Sequence, residues 1–307
     1  MTAAPDEPAP LNHRIGSRGT QVRLWFQGAR PKTLGAAVAP VLVGTAAGTL
    51  DGRLNWWRAV AALVVAVALQ VGVNYANDYS DGVRGTDEGR KGPVRLTATG
   101  LATPAAVKRA AFLSFAVAAG AGLALSLAVN PWLLLVGVAA IAAAWLYTGG
   151  PKPYGYLGLG EVMVLVFFGF VATVGSAYVQ VEDVPSAAWW GSLVVGLLAC
   201  AILLANNVRD IPTDAVTGKR TLAVRLGATT ARRLFVACYV GSFLSVVAIG
   251  ISQPWALLGL LALPLAVAPV RTIVTRSDPP SLIAALVATS KVELVVAVLV
   301  SVGLCLS

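Results

Sequence analysis

Nine stretches almost free of charged residues recur along the chain, at about 34–50, 57–77, 105–129, 132–148, 157–180, 188–207, 234–251, 254–270 and 281–306. Most approach the roughly 20 apolar residues that carry a helix across the ~30 Å hydrocarbon core of a bilayer. The pattern predicts an all-α membrane protein with nine transmembrane helices. Residues 1–22, rich in Pro, Ala and charge, read as a disordered tail, and 23–307 as one helical domain. The first apolar run follows some 30 mostly polar residues and leads straight into further runs, so it is not the pattern of a cleavable signal.

Composition sharpens this picture. Of 307 residues, 57% are hydrophobic and 12% charged, about half the charged share of a soluble domain. The net charge of +9 would suit nucleic acid, but its distribution does not. With nine spans, alternate connections fall on opposite sides of the membrane, and twenty of the 23 lysines and arginines fall on one side. They occupy the N-terminal segment, the 78–109 and 207–233 connections, Lys152, and the Arg271–Arg276 turn, whereas the other side has only Arg53 and Arg58. By the positive-inside rule this predicts a multi-pass protein of the cell membrane, with a cytoplasmic N-terminus and an extracytoplasmic C-terminus, and the Arg-over-Lys composition rich in Ala, Val and Gly points to a bacterial one. The bilayer, not nucleic acid, is its environment. Cys200, Cys238 and Cys305 lie within apolar runs without a CxxC, and the one histidine, His13, lies in the tail. Thiolate or imidazole metal sites are therefore not expected, and any metal must be held by oxygen.

The acidic residues gather on the same side as the basic ones. The second apolar run ends Asn74-Tyr-Ala-Asn77-Asp78-Tyr-Ser-Asp81, and the sixth ends Asn206-Asn207-Val-Arg209-Asp210-Ile-Pro-Thr-Asp214. Helical spacing places Asn74, Asp78 and Asp81 on one face, and Asn206, Asp210 and Asp214 on another. Pro212 can disturb the second of these. Clustered carboxylates at a membrane boundary persist where they pair, face water or hold a cation. Hard oxygen donors suit Mg²⁺, which takes one or two carboxylates together with substrate phosphate oxygens. Two facing clusters with basic loops beside them predict a Mg²⁺–diphosphate site.

Asn77-Asp78-x-x-Asp81 and Asp210-x-x-x-Asp214 resemble the paired Asp-rich motifs of the UbiA-type intramembrane prenyltransferases, and the resemblance runs from Arg30 to the C-terminus. Arg30-Pro-Lys-Thr33, the 77–87 and 206–222 segments, Val224-Arg-Leu-Gly227 and Tyr147-Thr-Gly-Gly-Pro-Lys-Pro-Tyr-Gly-Tyr-Leu-Gly-Leu-Gly-Glu161 are most similar to the branch acting on 1,4-dihydroxy-2-naphthoate. The broad family often has a third Asp four residues after the second, where this chain has Gly85; Asp87 is the nearest substitute. The resemblance implies a nine-helix bundle with its active site towards the cytoplasm, in which a polyprenyl diphosphate ionises and an aromatic acid captures the prenyl cation and loses carbon dioxide.

On that reading Asp78, Asp81, Asp210 and Asp214 are the expected catalytic residues and Mg²⁺ ligands. Arg30, Lys32, Asn74, Asn77, Tyr147, Lys152, Tyr154, Asn206, Asn207 and Lys219 are expected at the substrates, and Arg84, Asp87, Arg95 and Glu161 near them. Among other aromatic residues Phe167, Phe168 and Tyr178 are candidates to face the cation, although within a span they also serve as packing. Lys291 and Glu293, at i and i+2, do not face one another on a helix and need other partners. Two other readings remain open: a related prenyltransferase using 4-hydroxybenzoate or another acceptor, and an ion-coupled transporter, which also carries intramembrane acids.

Overall fold

The computed structural model describes residues 18–50, 52–86 and 94–307. The tail expected over 1–22 is described from residue 18 onward, where the chain is already helical; residues 1–17 and Asp87 lie outside the described residues. Among the described residues there is no β-strand. Ten helices follow in order: α1 Arg18–Gly28, α2 Gly35–Ala47, α3 Trp56–Val83, α4 Pro104–Ala128 and α5 Leu133–Leu146, then α6 Gly160–Val181, α7 Ser186–Val216, α8 Leu222–Ser252, α9 Pro254–Thr275 and α10 Pro279–Leu306.

Seven of these (α3, α4 and α6–α10) are long and apolar enough to cross a membrane. The chain is thus an all-helical, multi-pass membrane protein. The other two apolar runs form α2 and α5, of 13 and 14 residues. At 1.5 Å per residue they reach about 20 Å, short of the hydrocarbon thickness.

Local chemistry sets the ends. The Asn55 side chain accepts from the Arg58 amide to cap α3, Thr103 caps α4 through the Ala106 amide, and Asp278 caps α10 through the Ser281 amide. Pro212 does not stop α7, which continues through it to Val216. Gly227 does break α8, with φ 77° and ψ 160° inside the assigned helix. The segment Leu165–Val171 of α6 is π-helical, a wider winding often found at functional sites. There Gly169 lies against Gly196 of α7, where an added Cβ would come within 2.7 Å of the opposing Cα.

α7 runs through the centre, and the main apolar core forms where it meets α2, α8 and α10. At the end of the bundle where α3 begins, Arg58 donates to the Val179 carbonyl at 3.0 Å, the Glu182 carboxylate at 3.2 Å and the Ala128 carbonyl at 3.3 Å, tying α3, α4 and α6 together. Along α10, Lys291 is exposed whereas Glu293 is fully buried, as their i, i+2 spacing requires.

α2 approaches α6 across Gly44: a Cβ there would lie 2.1 Å from the Thr173 carbonyl oxygen and 2.8 Å from the Ser176 Cβ. Gly44→Ala should therefore destabilise the protein by about 1–3 kcal/mol, read as a lower unfolding midpoint in detergent. Gly120→Ala on α4, where no atom lies within 4 Å of the added methyl, should leave the midpoint unchanged or raise it through helix propensity. Equal midpoints for the two variants would contradict this packing.

Candidate functional site

α3, α5 and α7 each run from apolar to polar towards their C-terminal ends, and those ends gather around one cavity of about 820 Å³. Along α3 the lining passes from Ala62, Val65 and Leu69 to Asn74, Asn77 and Asp81. Along α7 it passes from Ala199, Ile202 and Leu203 to Asn206, Asn207 and Arg209; along α5, from Leu133 and Ile141 to Tyr147 and Thr148 at its end. The result is a two-part chamber, a long apolar well with a polar mouth. Helix C-termini carry partial negative charge, so three meeting at one mouth cannot by themselves hold an anion. The mouth is made cationic by side chains: Arg30, Lys32, Arg95, Arg209 and Lys219 line it, and Asp81 is the one acidic lining residue among those described.

Asp81 is the junction of the site. Its carboxylate accepts a hydrogen bond from the Tyr156 hydroxyl at 2.7 Å and faces the Lys219 ammonium at 3.6 Å. Tyr156 lies in the short 3₁₀ turn Tyr154–Leu157, its hydroxyl is 3.2 Å from that of Thr86, and its carbonyl accepts from the Arg220 amide at 3.1 Å. The Arg84 guanidinium and Lys219 ammonium lie 5.5 and 5.0 Å from its ring centroid, within range of cation–π attraction. Burial, and then the negative Asp81, push the Tyr156 phenol above its ordinary range, so it remains a donor.

The structure separates residues that helical spacing placed on one face. Asn77 and Asp81, at i and i+4, line the cavity together with Asn74, whereas Asp78 is turned away. Both Asp78 oxygens accept backbone amides, from Leu96 at 2.7 Å and Thr97 at 2.8 Å. The physical reason is the 100° step between neighbours on a helix: with Asn77 and Asp81 inward, Asp78 points to the 94–100 segment and folds it down, bringing Arg95 to the cavity. On α7, Asn206 and Asn207 line the cavity, and Asp210 stands behind them, held by Arg209 through two contacts of 2.7 Å. Asp214 is buried, and its carbonyl accepts the Lys219 amide at 2.8 Å.

The remaining expected residues divide. Tyr147 and Tyr154 line the cavity with ring centroids 5.5 Å apart, and the Tyr154 hydroxyl donates to the Ala143 carbonyl. Arg30 lines it in left-handed geometry, φ 55°, a conformation costing about 1–3 kcal/mol for a non-glycine residue. Phe167 and Phe168, on the π-helical segment, also line it. Glu161 lies behind the wall, where it accepts from Asn207 at 2.8 Å. Lys152 is exposed and outside the lining, as is Arg84, which donates to the Thr148 and Gly150 carbonyls. Tyr178 bonds Asn130 instead.

Sequence reasoning missed Tyr156, Arg209, Thr148 and Gln70. Thr148 donates to Asn77 at 2.8 Å, and Gln70 lines the cavity one helical turn from Asn74. A lone amide in an apolar run, four residues before the Asn74 cluster, was a usable signal for Gln70. No periodicity marks which tyrosine of an irregular loop reaches Asp81.

Among the described residues no three acidic, histidine or cysteine side chains converge as a ready-made metal cage. Mg²⁺ does not need one, since it typically takes one or two carboxylates and completes its shell with phosphate oxygens and water. The donors present are hard oxygens, and Asp81 is already aimed at a cationic position, that of Lys219. The residues fit Mg²⁺ held jointly with a phosphorylated ligand.

Residues 37–303 match the UbiA prenyltransferase family. The chain is 52% identical over 242 residues to a 1,4-dihydroxy-2-naphthoate octaprenyltransferase of Mycobacterium tuberculosis, covering 79% of this chain and 83% of that one. It is 38% identical over 298 residues to a protein of the same name from Escherichia coli, covering 94% and 97%. The fold is similar to that of a UbiA homologue from Archaeoglobus fulgidus solved with GPP and Mg²⁺, at TM-score 0.60 and 15% identity over 91% of this chain and 99% of that one. A UbiA homologue from Aeropyrum pernix gives TM-score 0.60 and 15% identity over 87% and 96%. A polar, cationic mouth on an apolar well is thus built on a shared fold, and the chain belongs to the UbiA prenyltransferase family.

Proposed function

We propose that this protein transfers a polyprenyl group from its diphosphate to 1,4-dihydroxy-2-naphthoate, with loss of carbon dioxide, in menaquinone synthesis. The observation that carries the reading is the two-part cavity. Five cationic side chains suit a diphosphate, and the apolar well below suits a hydrocarbon chain, whose burial is favourable at about 0.8 kcal/mol per methylene. The relatives' names supply the acceptor. In the reaction the carbon–oxygen bond to the diphosphate breaks, an electron-rich ring carbon captures the allylic cation, and the acceptor's carboxyl group leaves.

Each lining group has a part. Arg30, Lys32, Arg95, Arg209 and Lys219 receive the diphosphate and offset its charge as it departs. Asp81 would hold Mg²⁺ with Asp210 and Asp214 from α7, beside the amide oxygens of Asn77 and Asn206. Mg²⁺, when bound, supplies Lewis-acid stabilisation of the leaving diphosphate. Tyr147, Phe167 and Phe168 give the cation electron-rich walls and help keep out the water that would capture it. Asp78 anchors the segment that carries Arg95. With the connections that flank them, the short α2 and α5 complete nine spans on this reading, and the basic mouth opens to the cytoplasm. Lys152 and Arg84 belong to the rim. Acids gathered at one mouth beside phosphate-suited cations, with no chain of them through the bundle among the described residues, speak against ion-coupled transport.

The purified protein supplied with Mg²⁺, a labelled long-chain prenyl diphosphate and 1,4-dihydroxy-2-naphthoate should form a prenylated, decarboxylated product, and EDTA should stop it. Prenylation of 4-hydroxybenzoate in preference to the naphthoate would overturn the acceptor assignment. Asp81→Asn should cut kcat/KM by at least about 100-fold and raise the Mg²⁺ concentration needed. Asp78→Asn should instead lower the unfolding midpoint, because its amide NH₂ would oppose a backbone N–H, while leaving the Mg²⁺ dependence of any residual activity unchanged.

Tyr156→Phe removes one donor to a buried carboxylate, an interaction worth roughly 1.5–3 kcal/mol. A fall of about 10- to 100-fold in kcat/KM should follow, concentrated in the use of the prenyl diphosphate. Full activity in this variant would show that Asp81 needs no orienting partner.

A further inference from the structure

Glu161 and Asn207 have no part in the mechanism above, and they are bound to each other. Glu161 is the second residue of α6 and is 5% exposed. Its neighbour Gly160 lines the cavity and Glu161 itself does not. Its Oε1 accepts from the Asn207 Nδ2 at 2.8 Å, and its Oε2 is closed off, without a partner among the described residues. Glu161 therefore meets no ligand. A carboxyl group buried within the membrane with one oxygen unmatched is costly, and the side chain it holds is that of Asn207.

That contact decides which end of Asn207 faces the ligand. A side-chain amide has a donor end and an acceptor end, and a carboxylate accepts only. With Nδ2 turned to Glu161, Oδ1 is the end left to the cavity that Asn207 lines. Two other asparagines of the mouth are tied differently. Asn206 has both ends committed within α7, its Nδ2 to Asp210 at 3.3 Å and its Oδ1 to Arg209 at 2.8 Å. Asn77 accepts from Thr148 on its Oδ1. The Asn207 Oδ1 is neither taken by a partner among the described residues nor shut off by burial.

Its surroundings select the ligand. Asn207 stands on α7 between Leu203, one turn deeper on the cavity wall, and Asp210, about 4.5 Å further along the axis towards the mouth. Tyr147 reaches the same level: a Cβ on Gly160 would lie 3.2 Å from the Leu203 side chain and 3.4 Å from the Tyr147 ring. The wall here is one oriented carbonyl oxygen set beside a phenol ring and aliphatic side chains. A prenyl diphosphate has no donor for that oxygen, since its head carries acceptors and its tail is hydrocarbon. An aromatic acid with ring hydroxyls brings both a flat apolar face and a donor.

We propose that the Asn207 Oδ1 accepts a hydrogen bond from a hydroxyl of the aromatic acceptor, and that Glu161 is the positioning residue that keeps this oxygen turned to the cavity. Without Glu161 the amide is free to turn over, and the oxygen is presented for only part of the time. The proposal rests on the naphthoate reading of the preceding section and adds the residues that read the acceptor.

The test is a double-mutant cycle in the full-length protein, purified in detergent: Glu161→Leu, Asn207→Leu and the two together, alongside the isosteric Glu161→Gln. Asn207→Leu should raise KM for 1,4-dihydroxy-2-naphthoate about tenfold, the scale of one well-made hydrogen bond, and Glu161→Leu should raise it about threefold or more. The double variant should match Asn207→Leu to within about twofold, because Glu161 acts through Asn207. Glu161→Gln should fall between wild type and Glu161→Leu, since a glutamine amide can donate as well as accept. The wild type should prefer the dihydroxy acid about tenfold over 1-hydroxy-2-naphthoate or 4-hydroxy-2-naphthoate, each lacking one hydroxyl, and Asn207→Leu should lose that preference. KM for the prenyl diphosphate, the Mg²⁺ concentration at half-maximal rate and the unfolding midpoint should hold throughout.

An unchanged acceptor KM in Glu161→Leu, or effects of the two leucine variants that multiply in the double variant, removes Glu161 as the positioning residue. Preference retained in Asn207→Leu overturns the hydroxyl contact, and so does a raised Mg²⁺ requirement, which would make Asn207 a metal ligand. Lowered midpoints with KM raised for both substrates alike make the pair structural and overturn the proposal entire. Failure of the unmutated protein to prenylate the naphthoate removes the acceptor assignment itself and the contact with it. That result is read without any substitution and is distinct from the others.

Discussion

The contact between Asp81 and Lys219 joins the end of α3 to the segment following α7, two places 138 residues apart in sequence that the bundle brings to one point. Tyr156 adds a third strand to the knot: its hydroxyl donates to Asp81 and its carbonyl accepts the Arg220 amide. Three connections from different parts of the chain thus meet over one carboxylate. A buried ion pair of this kind is a poor source of net stability, because desolvating both charges offsets most of their attraction. Its retention makes sense if the charges are there to meet others. Both Asp81 and Lys219 line the cavity, so the group that holds the connections together is also the group proposed to meet a metal and a diphosphate.

From this constraint the division of the cavity follows. An anion at the C-terminal ends of α3, α5 and α7 meets unfavourable helix dipoles and the acids themselves. Its binding has to come from side chains imported from elsewhere: Arg30 and Lys32 before α2, Arg95 from the segment held down by Asp78, Arg209 from α7 and Lys219 beyond it. Asp78 and Asp210 are therefore as necessary to the mouth as Asp81, although neither lines it. One fixes the backbone on which Arg95 sits. The other grips Arg209 from two sides, fixing the plane of the fork that a phosphate would meet.

The spans were legible because lipid imposes a simple rule on every helix that touches it, and the rule leaves a run of apolar residues. All nine runs become helices, but several extend well past their runs: α3 continues to Val83, α7 runs through Pro212 to Val216, and α8 begins at Leu222 and is broken at Gly227. The acidic motifs were legible as a site because charge at a membrane boundary is costly. Which acid faces inward was not. Asp78 and Asp81 are equally polar and three residues apart, and only the position of Leu96 and Thr97 decides that Asp78 is claimed by backbone amides. Tyr154 and Tyr156 take different parts that the sequence does not separate: the loop that holds them has no period, and tertiary contacts place Tyr154 on the cavity wall and the Tyr156 hydroxyl on Asp81.

The two ends of the bundle are built by opposite means, and the difference bears on catalysis. At the end where α3 begins, Arg58 clamps three helices through carbonyl groups, and further along the shaft Gly44 and Gly169 bring backbones into direct contact. That scaffold has little room to adjust. At the polar mouth the contacts are made by long side chains on irregular connections, and Arg209 and Lys219 each meet an acid that is itself proposed to hold a metal. On the proposed reading the packed well sets how deep a prenyl chain enters, and the cations at the mouth already stand beside the diphosphate oxygens that gain charge as the bond to its first carbon breaks. The barrier falls only if both hold at once, because charge stabilisation is strongest where its donors are already near the oxygen that is about to become more negative.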